Sequence, residues 1–290
     1  MEVLLQKRIL PIHELSDLKL LDIDFPSPRK VGFGFSTGAL LWKHRVSDNY
    51  EDLLRPFDFN YQTGLGWQAI LDMKIAFNEF FEGVIGFQYE QINTTSGHNS
   101  EITYDLDNEA DALNPLNGYA LSLATPYGLS GSTFNLIRNR DIGVNSADLL
   151  VDFHSTHVIK NISIPVGLNI FPFGKKNLWV SSVHIGFGTN YLASISNNIQ
   201  SIDTHHDAIQ YDDSGSSTFV SPELEQWHFD YRLGLGATYQ FNSKSSLRIN
   251  YDWSRGINPI YKFDDYETRI DRHHISIGLT TRLSSASVHK

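Results

Sequence analysis

Two groups of side chains in this 290-residue chain could carry chemistry. In the first, Glu82, Glu90, Asp230 and Asp252 stand against Arg232, Arg248 and Arg282, each separated from its neighbours by apolar residues. Brought together on one interior face, these charges make either a proton or ion path or a salt-bridged plug. Charges withdrawn from water must be paired to be tolerated, which favours the plug. The second group is rich in histidine: Asp203, His205, His206 and Asp207 crowd one segment, with Asp212 and Asp213 nearby, and His273 and His274 adjoin Asp271. A metal needs three or four converging ligands, whereas an Asp–His pair that activates water would make a hydrolase. Ser155 lies between His154 and His157, the parts of a nucleophile and its base, but adjacent strand residues point to opposite faces. Asp105, Asp107, Glu109 and Asp111 offer oxygen ligands to calcium without the regular spacing of a calcium loop. The plain reading of these loops is solvated polar surface, so no catalytic residue, metal or cofactor is assigned.

Composition bounds the elements that must position these groups. With 23 Lys+Arg against 33 Asp+Glu, the net charge is −10, and no basic stripe is available to neutralise nucleic-acid phosphates. The absence of cysteine excludes a disulfide scaffold and thiolate chemistry. Aromatics at 12 % exclude a disordered acidic chain. Residues 1–30 have neither a basic start nor an apolar run of signal-peptide length, and are proline-punctuated from Pro11 to Pro28, which reads as a tether. Residues 31–290 are read as one domain.

From Val31 onward the apolar period is two, the strand period. Eight amphipathic stretches begin near Val31, Tyr61, Phe81, Ile162, Trp179, Trp227, Leu247 and Ile275. In the sixth, for example, Trp227, Phe229, Tyr231, Leu233 and Leu235 alternate with His228, Asp230, Arg232, Gly234 and Gly236. A soluble sandwich buries the apolar face, whereas a membrane barrel turns it to lipid. Strand length favours the barrel, because these stretches run to about 10–14 residues and a tilted membrane strand needs about 9–11. Aromatics cluster at the strand ends as an interfacial girdle would require: Trp42, Tyr61, Tyr89, Trp179, Tyr191, Trp227, Tyr239 and Trp253. Short turns near Ala76–Glu79, Pro172–Lys176 and Asn242–Ser245 alternate with long connections, of which residues 92–148 are the longest. That alternation marks periplasmic turns and extracellular loops, and it places both ends of the chain on the periplasmic side. The expected fold is all-β, an eight-stranded antiparallel up-and-down transmembrane β-barrel with long extracellular loops.

The segment Ile162-Ser163-Ile164-Pro165-Val166-Gly167-Leu168, a Phe-containing turn, and Trp179 through Gly186 to Asn190-Tyr191-Leu192 resemble the PorT-like outer-membrane β-barrels of Bacteroidota. The resemblance spans Val31 to Leu283. Asp58-Phe59-Asn60-Tyr61, and Tyr89-Glu90-Gln91-Ile92 followed by Ser96-Gly97-His98-Asn99-Ser100, further resemble the barrels that end envelope-spanning anti-sigma factors. The cytosolic domain and inner-membrane helix of those proteins are not in these 290 residues, so the chain is expected to be either the outer-membrane part of such a protein, with residues 1–30 as the end of the linker, or a standalone barrel; its last residues, Ser287-Val288-His289-Lys290, include no aromatic. The resemblance implies an outer-membrane anchor, sensor or interaction module in a signalling or secretion complex. Its expected partners are outer-membrane lipid, lipopolysaccharide and envelope proteins, and it is expected not to be an enzyme. The alternatives are an outer-membrane hydrolase using the loop His and Asp residues, and a narrow pore.

Overall fold

The computed structural model describes residues 31–49, 64–111, 113–220, 224–242 and 244–283. The tether, the Asp58–Tyr61 segment, Tyr61 of the expected girdle and the last seven residues fall outside them.

The eight expected stretches are all strands of one closed ring. In ring order they are β1 (Val31–Val46), β2 (Gly64–Ala76), β3 (Phe81–Asp105), β6 (Ser146–Ile170), β7 (Trp179–Asp203), β9 (Trp227–Gln240), β10 (Ser245–Gly256) and β12 (Tyr266–Arg282). Every neighbouring pair is antiparallel, and β1 pairs with β12 from Gly32↔Arg282 to Val46↔Thr268, so the ring has no free edge. Closure satisfies the backbone groups that an open edge would expose to hydrocarbon.

Burial is inverted relative to a soluble domain. Phe35, Phe187, Leu235 and Ile275 are 54–68 % exposed on the outer face, while Gln68, Glu90, Asn161, Asp230 and Arg272 are fully buried inside. Only a nonaqueous surround makes that arrangement stable, since an apolar surface of this extent is not left to water. Aromatic pairs bound the outer apolar band at both levels. Trp179–Tyr239 and Tyr239–Phe241, with ring centroids 4.9 and 5.3 Å apart, lie at the short-turn end; Trp67–Tyr89, Tyr191–Trp227 and Tyr231–Trp253, at 5.4, 4.9 and 5.6 Å, lie toward the other.

The short-turn end holds residues 77–80 and 171–178 and the connection between β9 and β10. In the first and third, Asn78 and Asn242 each accept two backbone N–H bonds with the side-chain oxygen at 2.8 Å, the side-chain mimicry that selects Asn in tight turns. The first and last described strands meet at this end, where the Leu283 amide donates to the Val31 carbonyl at 2.8 Å.

The opposite end departs from the sequence reading. Strands β3, β6 and β7 are 25 residues each, not 10–14. At about 3.3 Å per residue such a strand is about 80 Å long, far more than the roughly 30 Å hydrocarbon core. Residues 92–148, expected as a loop, complete β3, form the hairpin β4 (Leu116–Thr125) and β5 (Gly128–Arg138), and begin β6. The connection after β7 holds β8 (Ile209–Val220), which joins β4 and β5 in a second sheet, ordered β4-β5-β8. A short β11 (Tyr261–Phe263) pairs with β12. The second sheet packs on the inner face of the strand extensions around Tyr104, Phe134, Leu136, Leu149, Val151, Phe153, Ile202 and Ile209. The result is a head with its own hydrophobic core on the long-loop side of the barrel.

Candidate functional site

The lumen is filled by a polar network that strands from all around the ring supply, each contributing alternate residues. Arg272 of β12 is its centre and is fully buried. It forms an ion pair with Asp230, lies 3.5 Å from Glu90 Oε2, and donates to Asn190 Oδ1 at 3.3 Å and His228 Nε2 at 2.5 Å. Its guanidinium also sits 4.9 Å from the centre of the Trp42 ring, a cation–π contact strengthened by exclusion of water. Beside it, Arg232 donates to Asp230 Oδ1 at 2.9 Å, and to Gln88 Oε1 and Ser163 Oγ at 2.6 Å. Glu90 accepts from Gln88 and Asn161 at 2.7 and 2.8 Å. A Cβ at Gly188 would collide with Asp230 and the Arg232 guanidinium, so glycine at this position makes room for the pair.

Nearer the short turns, Glu82 pairs with Lys175 at 2.8 Å, and Lys74 with Asp72 at 3.2 Å. Arg248 donates to Asn250 and Asn169 at 2.6 and 3.0 Å. Asp252 and Arg248 line a cavity of about 60 Å³, a space for a few waters. Arg282 lines a smaller one with Glu82 and Lys175. All seven charged residues expected in the lumen therefore face it, and Glu90, Asp230 and Arg232 meet in one cluster.

Above the network, the inward residues turn apolar. Leu40, Trp42, Ile92, Ile159, Leu192 and Ile270 ring the mouth, and Tyr127 and Ile260 drop into it from the β4–β5 turn and the connection after β10. Gly128, at φ +101, gives that turn its left-handed residue. The Thr125 hydroxyl accepts from the Tyr127 amide at 3.2 Å and donates to the Gly128 carbonyl at 2.9 Å. The Tyr127 hydroxyl bonds His44 Nε2. An apolar layer thus lies over an ion-paired one, and together they occlude the lumen.

Trp42 corrects the sequence reading. It occupies an even position of β1, facing inward with Leu40 and His44, so it belongs to the occluding layer and not to the girdle. Tyr89, Trp179, Tyr191, Trp227, Tyr239 and Trp253 point outward as expected. His228 and Gln88 stand on the polar face that the alternation defines, whereas Arg272 was missed, although extending the alternation back from His274 reaches it on the same face.

The histidine-rich segment lies on the head. His205, at φ 48, donates its backbone N–H to Asp203 and places Nε2 2.7 Å from Asp152 Oδ2, beside a broad depression that His154, Arg140 and His206 also line. Ser155 and His157 face the lumen, with Oγ 3.4 Å from Nε2, while His154 faces the other way. Asp105 and Asp111 cap backbone amides, and Glu109 binds Arg138 at 2.6 Å. Among the described residues no three His, Asp or Glu side chains converge as a metal site would require.

Hydrogen bonding to Asp152, with the charge of Asp203 in support, raises the His205 pKa above the ordinary histidine value. A raised folded-state pKa gives stability that is complete below the unfolded value and is lost as pH rises through the folded one. An NMR titration of the His205 imidazole is expected to show this elevated midpoint, and Asp152→Asn to lower it. An unchanged midpoint in the variant would remove Asp152 as the cause.

The closed register, the inverted burial and the two aromatic levels define an eight-stranded transmembrane β-barrel of the outer-membrane type. No family model and no curated protein matches the sequence. Among solved structures, neisserial surface protein A is similar over 87 % of this chain and 97 % of its own, at 9 % identity and a TM-score of 0.38. The attachment invasion locus protein Ail of Yersinia pestis gives 87 %, 98 %, 9 % and 0.32 in the same order. The outer-membrane protease OmpT of Escherichia coli gives 89 %, 99 %, 9 % and 0.36.

Proposed function

We propose that the chain is a non-enzymatic anchor and interaction module of the outer membrane, with the short turns periplasmic and the head extracellular. The filled lumen supports this reading most directly: a barrel whose described interior is packed with buried side chains leaves its work to its surfaces. The head supplies such a surface, because three barrel strands extend into it and hold it against the membrane-embedded part. The PorT-like resemblance implies an envelope complex in signalling or secretion, and the anti-sigma resemblance makes the N-terminal tether the connection to the periplasm.

Leu136→Asp places a carboxylate in the head core and leaves the lumen and lipid face untouched. Native gels of mildly solubilised envelopes are expected to show the wild-type chain in an assembly well above 32.9 kDa, and the variant as a lone barrel that still shifts on boiling. A wild-type protein that migrates alone, or a variant that stays in the assembly, would contradict the proposal. A hydrolase reading has one observation in its favour, the His205–Asp152 contact in an open depression. It requires a peptide- or ester-cleaving activity that His205→Ala abolishes without unfolding the barrel.

A further inference from the structure

We infer that the outer face of β10, β12 and β1 carries a binding site for the phosphates of an outer-leaflet glycolipid. The observation is a patch of cations in a chain that is otherwise acidic. Outward positions of β1 from Phe33 to Leu41 are apolar except Thr37, whose hydroxyl donates to the Gln68 carbonyl, and then become Lys43 and Arg45. On β12 the outward series Leu279, Ile277, Ile275 ends in His273, Asp271 and Arg269, and on β10 Tyr251 and Trp253 are followed by Arg255. The charges therefore begin where the apolar band stops, one or two residues beyond the aromatic Trp253, at the height of lipid headgroups.

Register brings these residues together. Asp271 pairs with Lys43 on one side and Arg255 on the other, and in the next outward row Arg45 stands directly opposite Arg269. Like charges facing each other across antiparallel strands destabilise the pair, and an anion between them reverses the sign. The carboxylates present do not balance the patch. Asp271 lies 3.6 Å from Arg45, and Glu267 takes Arg269 at 3.2 Å and Lys262 at 3.1 Å. Lys43 and Arg255 pair with no carboxylate among the described residues. In the two rows next to the apolar band four cations, Lys43, Arg45, Arg255 and Arg269, thus surround one carboxylate, Asp271; Glu267 and Lys262 pair one row further out, with Asp48, Asp264 and Asp265 beyond them. Elsewhere on the outer face β6 offers a lone cation, Lys160.

A headgroup with two phosphates and several acyl chains fits both halves of this surface. The phosphates take the guanidinium forks and the Lys43 ammonium, and the chains lie along the apolar face of β1 and β12 below. The inference rests on the outer-membrane location and on nothing about the partner of the head, so its failure leaves the interaction reading standing.

Native mass spectrometry of the full chain in detergent, titrated with bisphosphorylated lipid A, tests it. The lipid is expected to be retained, and the dephosphorylated lipid with the same acyl chains to bind roughly tenfold more weakly. Lys43→Gln combined with Arg255→Gln should lower retention by a similar factor, while Lys160→Gln leaves it unchanged; boiling shifts on gels establish that both variants are folded. Equal retention of the two lipids overturns the inference, as does a double variant that binds like wild type. Inorganic pyrophosphate that displaces the lipid completely at equal concentration would make this a free-phosphate site and overturn the lipid assignment.

Discussion

Arg272→Met is expected to destabilise the barrel by about 3–5 kcal/mol, the cost of leaving buried charge uncompensated when one partner of an ion pair is removed. Arg272 is the common neighbour of Asp230 and Glu90, both fully buried, and it also holds His228 and Asn190 and covers the Trp42 ring. Methionine keeps much of the side-chain volume, so the loss reads out charge and hydrogen bonding more than packing. Urea titration of the protein refolded into lipid vesicles, followed by the boiling shift, measures it. Adding Asp230→Asn removes one orphaned carboxylate and is expected to recover part of the loss. A single variant as stable as wild type would mean that the network is solvated and the lumen open to water.

Phe134→Ala is expected to loosen the head by about 3–5 kcal/mol, the usual range for deleting a buried aromatic ring. Phe134 is 3 % exposed, with its ring centre 5.7 Å from that of Tyr119 and 6.2 Å from that of Phe153. It touches the strand extensions but no lumen residue of the network, so the membrane-embedded part should unfold at the same urea concentration as before. Limited proteolysis of whole cells separates the two: rapid cleavage within residues 106–145, with the barrel protected, is the expected pattern. Unchanged resistance would show that the head does not depend on this core.

The barrel was legible in the sequence because its period of two is uninterrupted and its polar face is chemically distinct. The same alternation located the lumen charges, since each residue's face follows from its parity. The head was not legible as structure, and β6 shows why. Its inward positions pass from Asn169, Ser163 and Asn161 through Ile159, His157 and Ser155 to Phe153, Val151 and Leu149. Where the inward face becomes apolar, the outward one turns polar with Asp148, Asp152 and His154, so the alternation reverses phase and no longer reads as a membrane strand although the strand continues. That change of polarity along one face was itself the signal for a second sheet packed inside. Trp42 was misplaced for a related reason: an aromatic at a strand end suits a girdle, but its even position shares a face with Ser36 and His44. Arg272 lies just before the stretch that begins near Ile275, and alternation carried further back reaches it.

Occlusion of the lumen is the claim on which the functional reading stands, and recording current across a planar bilayer containing the purified protein tests it most directly. No stepwise conductance is expected, since the Arg272–Asp230–Glu90 layer and the apolar layer with Trp42 and Tyr127 both cross the path. Stable ohmic steps from the folded barrel, altered by replacing Arg232 or Arg282, would contradict it and make the protein a pore.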